Sequence, residues 1–437
     1  MITPKAKVHG RTGRADRQCR ISRRGRTVVA ATLSVGLVAA ALAGCAGGNN
    51  SSSSGMDGKT VKMFTWVGSS DEHAQWQSYI DGGKLDDPSL SVSFSGPAIG
   101  SYYTKLPTEL KGSSAPCIIT LQNGQLAPYA SALVPLDSYA KSAGVSISSY
   151  DPSMIKQLSQ GGKVYALPYD AEPMVLYYNK KLFAAAGVPD PSTNWTTSDF
   201  LAAAKATTKN GVYGFAIGQA IGAVGTWMAA NGESYISNAG KSDLSSATLK
   251  SRFQWLVDLA TKYKVATPLE ASGGTFPDID KFGSGQAAMF LNGTWDFLHE
   301  SQQIGKDNLG VATIPSDNGK PFGSIAGTGY AVTKTCSDKT AAFKAIAAMT
   351  SAKSQQFVAK SRSQVPARAD SLAAWQSSVG AQPAAVVKAL TEHSQNLPAA
   401  TNANQINTLF TQYEVDAFSG KSSVSEVLQQ VAAGAGQ

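Results

Sequence analysis

The side chains best suited to chemistry in this 437-residue chain are indoles and amides placed just after short apolar runs. Trp66 lies near the end of the run 61–67 with Asp71 just after it, Asn123 and Gln125 follow 117–121, and Asn292 and Trp295 follow 287–291. An indole offers a wide apolar face with one polar edge, which suits the C–H face of a pyranose. Amides and carboxylates supply the paired donors and acceptors that neighbouring hydroxyls need. Each has a plainer reading beside it, since a Trp at a strand end more often packs into a core and Asn or Gln there often caps a turn. Catalytic patterns are thin. The chain has no Gly-x-Ser-x-Gly elbow, no His-Glu-x-x-His and no Walker loop. Gly327-Thr-Gly329 lacks the third glycine of a dinucleotide turn, and Asp278-Ile-Asp280 lacks the Gly and Glu of a calcium loop. Asp170 and Glu172 could form the acid pair of a glycosidase, but carboxylates two residues apart are commonplace. His73, His299 and His393 lie far apart without ligand-spaced companions. The expectation is no enzyme, no cofactor and no metal.

These residues need elements to hold them. Apolar runs alternate with helical patterns: strands are expected at 61–67, 90–94 and 117–121, with helices at 72–84 and 102–111 between them. The pattern returns as strands at 212–217, 287–291, 311–314 and 330–333 with a helix at 249–262, and from 339 onward the chain reads as mostly helical. Strand–helix–strand alternation predicts α/β units with parallel strands. In such units ligands sit outside the carboxyl ends of the strands, where the Trp- and amide-bearing segments fall. Thr196-Thr-Ser-Asp199 and Ser423-Val-Ser-Glu426 have capping-box spacing and mark two helix starts.

Charge is unevenly distributed. Nine of the 38 Lys and Arg and one of the 30 Asp and Glu lie before Cys45, leaving 29 of each in the remainder. The working part is neutral, so the basic footprint of a nucleic-acid partner is absent. The N-terminal segment reads as a secretory signal peptide over 1–44: a basic stretch, an apolar run of about 16 residues too short to span a membrane, then Leu42-Ala-Gly-Cys45. That ending resembles the bacterial lipobox, whose Cys takes a diacylglycerol. Cys45 is therefore the expected lipidation site, with 45–58 a flexible Gly- and Ser-rich tether. The Sec route is expected, although Ser22-Arg-Arg24 also hints at twin-arginine export. Cys117 and Cys336 remain, and they read as two small buried thiols, with pairing in an oxidising exterior as the alternative.

Three stretches are distinctive: Ala166-Leu-Pro-Tyr-Asp-Ala-Glu-Pro-Met-Val-Leu-Tyr-Tyr-Asn-Lys-Lys-Leu-Phe183, Phe282-Gly-Ser-Gly-Gln-Ala-Ala-Met-Phe-Leu-Asn-Gly-Thr-Trp295 and Gly327-Thr-Gly-Tyr-Ala-Val332. With the lipobox, they make the chain resemble the family 1 extracellular solute-binding proteins of bacterial ABC importers, the maltose-binding-protein-like group. The resemblance implies an α/β, periplasmic-binding-protein-like fold: two lobes joined by hinge crossings near 167–172, 324–329 and 365–368, with the ligand cleft between them. The first lobe would comprise 59–166 and 327–366, the second 167–326, with 367–437 a helical segment on the second. It also implies capture of an oligosaccharide outside the cell and delivery to ABC permease subunits, by a monomer held on the outer membrane surface. Carried over residue by residue, Glu172 matches a first-crossing carboxylate that binds sugar and Trp295 a stacking aromatic. Trp66, Asp71, Asn123, Gln125, Asp170, Asn292 and Gly327 occupy loops and crossings that carry contacts in relatives. Trp227 sits in a Gly- and Ala-rich loop that departs from the family pattern, and 396–404 offers no aromatic platform. Arg368, at the third crossing, is the cation that would favour the alternative of a charged solute such as a sugar phosphate, polyamine or peptide.

Overall fold

The computed structural model describes residues 55–436, apart from 220, 238–239, 270–275, 396–399 and 401. The signal peptide, Cys45 and most of the tether lie outside the described residues, as does much of 396–404. The described chain builds two main sheets with separate hydrophobic cores around them, and a short two-stranded pair at 159–160 and 163–164. The first includes β1 (Thr60–Phe64), β2 (Val92–Ser95), β3 (Ile118–Gln122) and β4 (Ala166–Pro168). The second contains β5 (Glu172–Asn179), β6 (Met289–Gly293), β7 (Leu309–Ala312) and β8 (Gly323–Ala326). The chain then returns to the first sheet as β9 (Thr328–Val332).

In the first sheet β1 runs parallel to β2 and β3, with Met63 opposite Phe94 and Ile118, as alternation with helices demands. β9 is antiparallel to both β3 and β4, placing Tyr330 between Thr120 and Leu167. The second sheet departs from the parallel expectation. β5 pairs antiparallel with β6, β7 and β8, because it and β8 are the outgoing and returning legs of the chain between lobes. The segment 212–217 forms only isolated bridges, from Tyr213 to Ala287, Phe215 to Ala266 and Ala216 to Phe290. It lies along the sheet without a continuous ladder.

Helix boundaries follow local chemistry. The helix α1 (Ser70–Gly83) is capped by Ser69, whose hydroxyl accepts from the Glu72 amide at 3.1 Å. Both expected capping boxes form, at Thr196/Asp199 and Ser423/Glu426. Each lobe is centred on aromatic rings. Trp76, Tyr79, Tyr169 and Tyr330 pack in the first core, and Phe200, Phe215, Trp227 and Trp255 in the second. Cys117 and Cys336 form a disulfide, with Cα atoms 4.5 Å apart. This corrects the reading as free thiols: the parallel and antiparallel partners of β3 bring its start beside the turn that follows β9, a proximity that two isolated Cys in a sequence cannot signal.

Candidate functional site

The chain passes between the sheets three times, and backbone bonds lace the passages together. Tyr169 donates to the Thr328 carbonyl at 3.0 Å and Ala171 to the Val365 carbonyl at 3.1 Å. Gly327 stands where a Cβ would meet the Met154 sulfur at 2.6 Å and the Asp170 carbonyl at 2.8 Å, so the close approach of the first two passages requires glycine. Asn123 pins the same point. Its amide N–H donates to the Gly327 carbonyl at 2.8 Å, its Oδ1 accepts from Gly327 N–H at 3.2 Å, and its Nδ2 donates to Gln157 and the Ile325 carbonyl.

Two acids are buried in this bundle of crossings. Asp170 Oδ1 accepts from the Thr328 amide at 2.6 Å, and burial pushes its carboxyl up to about 8. Glu172 is 1% exposed; its Oε1 accepts from the Val365 amide at 3.0 Å and its Oε2 from the Thr294 hydroxyl. Burial, then the neighbouring Asp170 charge, drives its pKa well above the carboxylate range. Carboxyls so enclosed and so bonded have no access to a scissile bond, so the arrangement offers no glycosidase acid pair.

The surface between the lobes is set by loops at strand ends. Trp295 lies two residues past the end of β6 and is 40% exposed, with its ring laid over Gly293, where a Cβ would lie 2.0 Å from the ring edge. Asn292 accepts from the Gly293 amide through Oδ1 and donates through Nδ2 to Asp296 at 3.1 Å. Close to Asp296 lies Glu300, a fully buried residue whose carboxyl is pushed up to about 9 by burial and then by the Asp296 charge. Burial also raises Asp296, while His299 opposes that shift. From the first lobe, Asp71 pairs with Arg362 at 2.7 Å, and Gln125 reaches the second-lobe Asn404 at 3.3 and 3.4 Å.

Three expected site residues fall elsewhere. Trp66, two residues past the end of β1, is 8% exposed and packs edge-on against Trp76 and Tyr102 in the first core. Trp227 is 1% exposed within the second aromatic cluster, because 221–229 forms a helix whose apolar side faces that core. Arg368 is held by Asp370 through two bonds, at 3.0 and 2.6 Å, with its guanidinium over Tyr150, so it is not a free cation. Residues missed in the sequence are Thr294, Asp296, Arg362, Asn404 and Glu300. Only Glu300 carried a signal, as a like-charged partner four residues after Asp296. Among the described residues no group of three or more His, Cys, Asp or Glu could hold a metal ion.

Two sheets laced by repeated passages of the chain, with an exposed indole just past the end of β6, set the frame for comparison with known proteins. The profile described as "Bacterial extracellular solute-binding protein" matches residues 68–356, and the chain belongs to that family, one of binding proteins and not of enzymes. The diacetylchitobiose binding protein of Streptomyces coelicolor is 26% identical over 322 residues, covering 69% of this chain and 72% of that one. Among solved structures, an ABC substrate-binding protein of Listeria monocytogenes in complex with cycloalternan superposes with a TM-score of 0.76 at 23% identity, covering 86% of this chain and 97% of its own. A Mycobacterium tuberculosis protein in complex with glycerophosphocholine superposes with a TM-score of 0.73 at 18% identity, covering 86% and 97%.

Proposed function

We propose that this extracellular solute-binding protein captures a neutral oligosaccharide between its lobes and delivers it to the permease subunits of an ABC importer. The observation that carries this reading is Trp295, a 40%-exposed indole at the carboxyl end of β6 with amide and carboxylate groups beside it. Sugar rings present the apolar faces and hydroxyl edges that such a combination grips. Asn292, Asp296, Gln125 and Asn404 are the polar contacts, while Asp170, Asn123 and Gly327 maintain the crossings. The diacetylchitobiose-binding relative supports a carbohydrate ligand. The alternative, a charged solute, is favoured by the glycerophosphocholine complex of the same fold. Against it, Arg362 and Arg368 already hold carboxylates of the protein. The chain acts as a monomer anchored through lipid on Cys45.

The test is a thermal-shift panel on the mature domain with diacetylchitobiose, maltotriose, cycloalternan, glycerophosphocholine and a polyamine. A ligand at 100 times its Kd adds about 2.7 kcal/mol to stability. An oligosaccharide is expected to raise the melting temperature, and Trp295→Ala to remove most of that rise. A shift with only the charged compounds would reverse the assignment, and an unchanged sugar response in Trp295→Ala would take the indole out of the site.

A further inference from the structure

We propose that Glu172 is a positioning residue, which ties the third interlobe crossing to the segment bearing Trp295 and does not itself touch ligand. The geometry is specific. Glu172 opens β5, where its backbone lies opposite Ala326 at the end of β8, next to the second crossing. Two residues on, Met174 lies opposite Gly293, the last residue of β6. From this junction the Glu172 carboxyl reaches in two directions. Oε1 takes the Val365 amide at 3.0 Å, in the crossing that follows the helix Ala352–Arg362. Oε2 takes the hydroxyl of Thr294, the residue immediately before Trp295.

All three partners are inaccessible: Glu172 is 1% exposed, Thr294 3% and Val365 2%. A ligand in the cleft therefore meets Trp295 and not Glu172. The same bonds make the carboxyl a strut. A buried acceptor with both oxygens occupied costs free energy to unpair, so the two segments it joins keep a fixed separation. Trp295 has its ring over Gly293 and its chain neighbour Thr294 pinned to the crossing. The tilt of the stacking face is thereby set by the same group that holds the hinge. Thr294 is a positioning residue of the same kind.

This inference rests on reading Trp295 as the stacking face, and the experiment separates the two. Hydrogen–deuterium exchange of the ligand-free protein is followed in 289–297 and at Val365 for wild type, Glu172→Gln, Glu172→Ala and Thr294→Val. Affinities for diacetylchitobiose, maltotriose and cycloalternan are measured by calorimetry on the same proteins. Glu172→Gln keeps an acceptor for Val365 and a polar partner for Thr294, and is expected to retain wild-type exchange and affinity. Glu172→Ala should speed exchange in both segments, and Thr294→Val in 289–297. Both should weaken sugar binding roughly tenfold, the worth of one hydrogen bond lost at a buried group. Unchanged protection in 289–297, or sugar affinity that falls in Trp295→Ala yet stays at wild-type level in Thr294→Val, overturns the proposal. Should Glu172→Ala not fold, Thr294→Val and Glu172→Gln decide the matter by the same criteria. Faster exchange as predicted, with no panel sugar bound by wild type, upholds the strut and sinks the sugar reading instead.

Discussion

Glu300 is buried against Asp296, with Asp278 and Asp280 also adding negative potential, so the folded protein retains a proton that the unfolded chain gives up. Its folded pKa of about 9 lies far above the ordinary glutamate value of about 4.3. The sign follows from linkage. Where the folded state binds more protons, stability is fully present below the unfolded pKa and is lost as pH rises toward the folded one. Asp170, pushed up to about 8, contributes in the same direction. Melting temperatures of wild type and Glu300→Gln measured from pH 5 to 9 should diverge, with the amide variant gaining relative to wild type as pH rises. A difference that stays constant across this range would show that Glu300 is ionised in the fold. The sequence could place Asp296 and Glu300 one helical turn apart, but the degree of enclosure comes from segments distant in the chain. For the same reason the exposure of Trp295 and the burial of Trp227 are set by packing and not by the residues next to them in the chain.

At the scale of elements, capping chemistry was the most readable feature. The hydroxyl of Thr196 accepts from the Asp199 amide at 3.2 Å, and the Asp199 carboxylate accepts from the Thr196 amide at 2.8 Å. Thr196→Ala should cost about 1 kcal/mol, read as a lower urea midpoint at unchanged m-value; an unaltered midpoint would mean the box adds nothing in this setting. Most strands of the first sheet were legible within two or three residues, because apolar runs between helices leave few alternatives. The three crossings were placed only through family resemblance. In the second sheet the central strand β5 and its neighbour β8 were not read as strands at all, and the antiparallel pairing of β5 with β6, β7 and β8 depends on where the chain turns back and not on periodicity. The segment 212–217 has strand composition, yet neighbouring backbone engages it only at isolated points.

For the molecule as a whole, the balance of charge beyond Cys45 is neutral, so net charge supplies no general attraction to an anionic membrane surface. No helix among the described residues is long and apolar enough to cross a bilayer. If the proposed acyl group at Cys45 is the attachment, Cys45→Ala should move the protein from the membrane fraction into the medium. Retention with the membranes would refute lipid anchoring at that residue. The disulfide is consistent with an oxidising exterior, where such bonds persist. Its two ends are 219 residues apart, and the described parts of the second sheet's labelled strands all fall between them. A protease that cuts the backbone once anywhere from 118 to 335 therefore leaves two polypeptides still joined by sulfur. The nicked protein would migrate as one species until a thiol is added, so the intactness of this protein cannot be judged from a non-reducing gel.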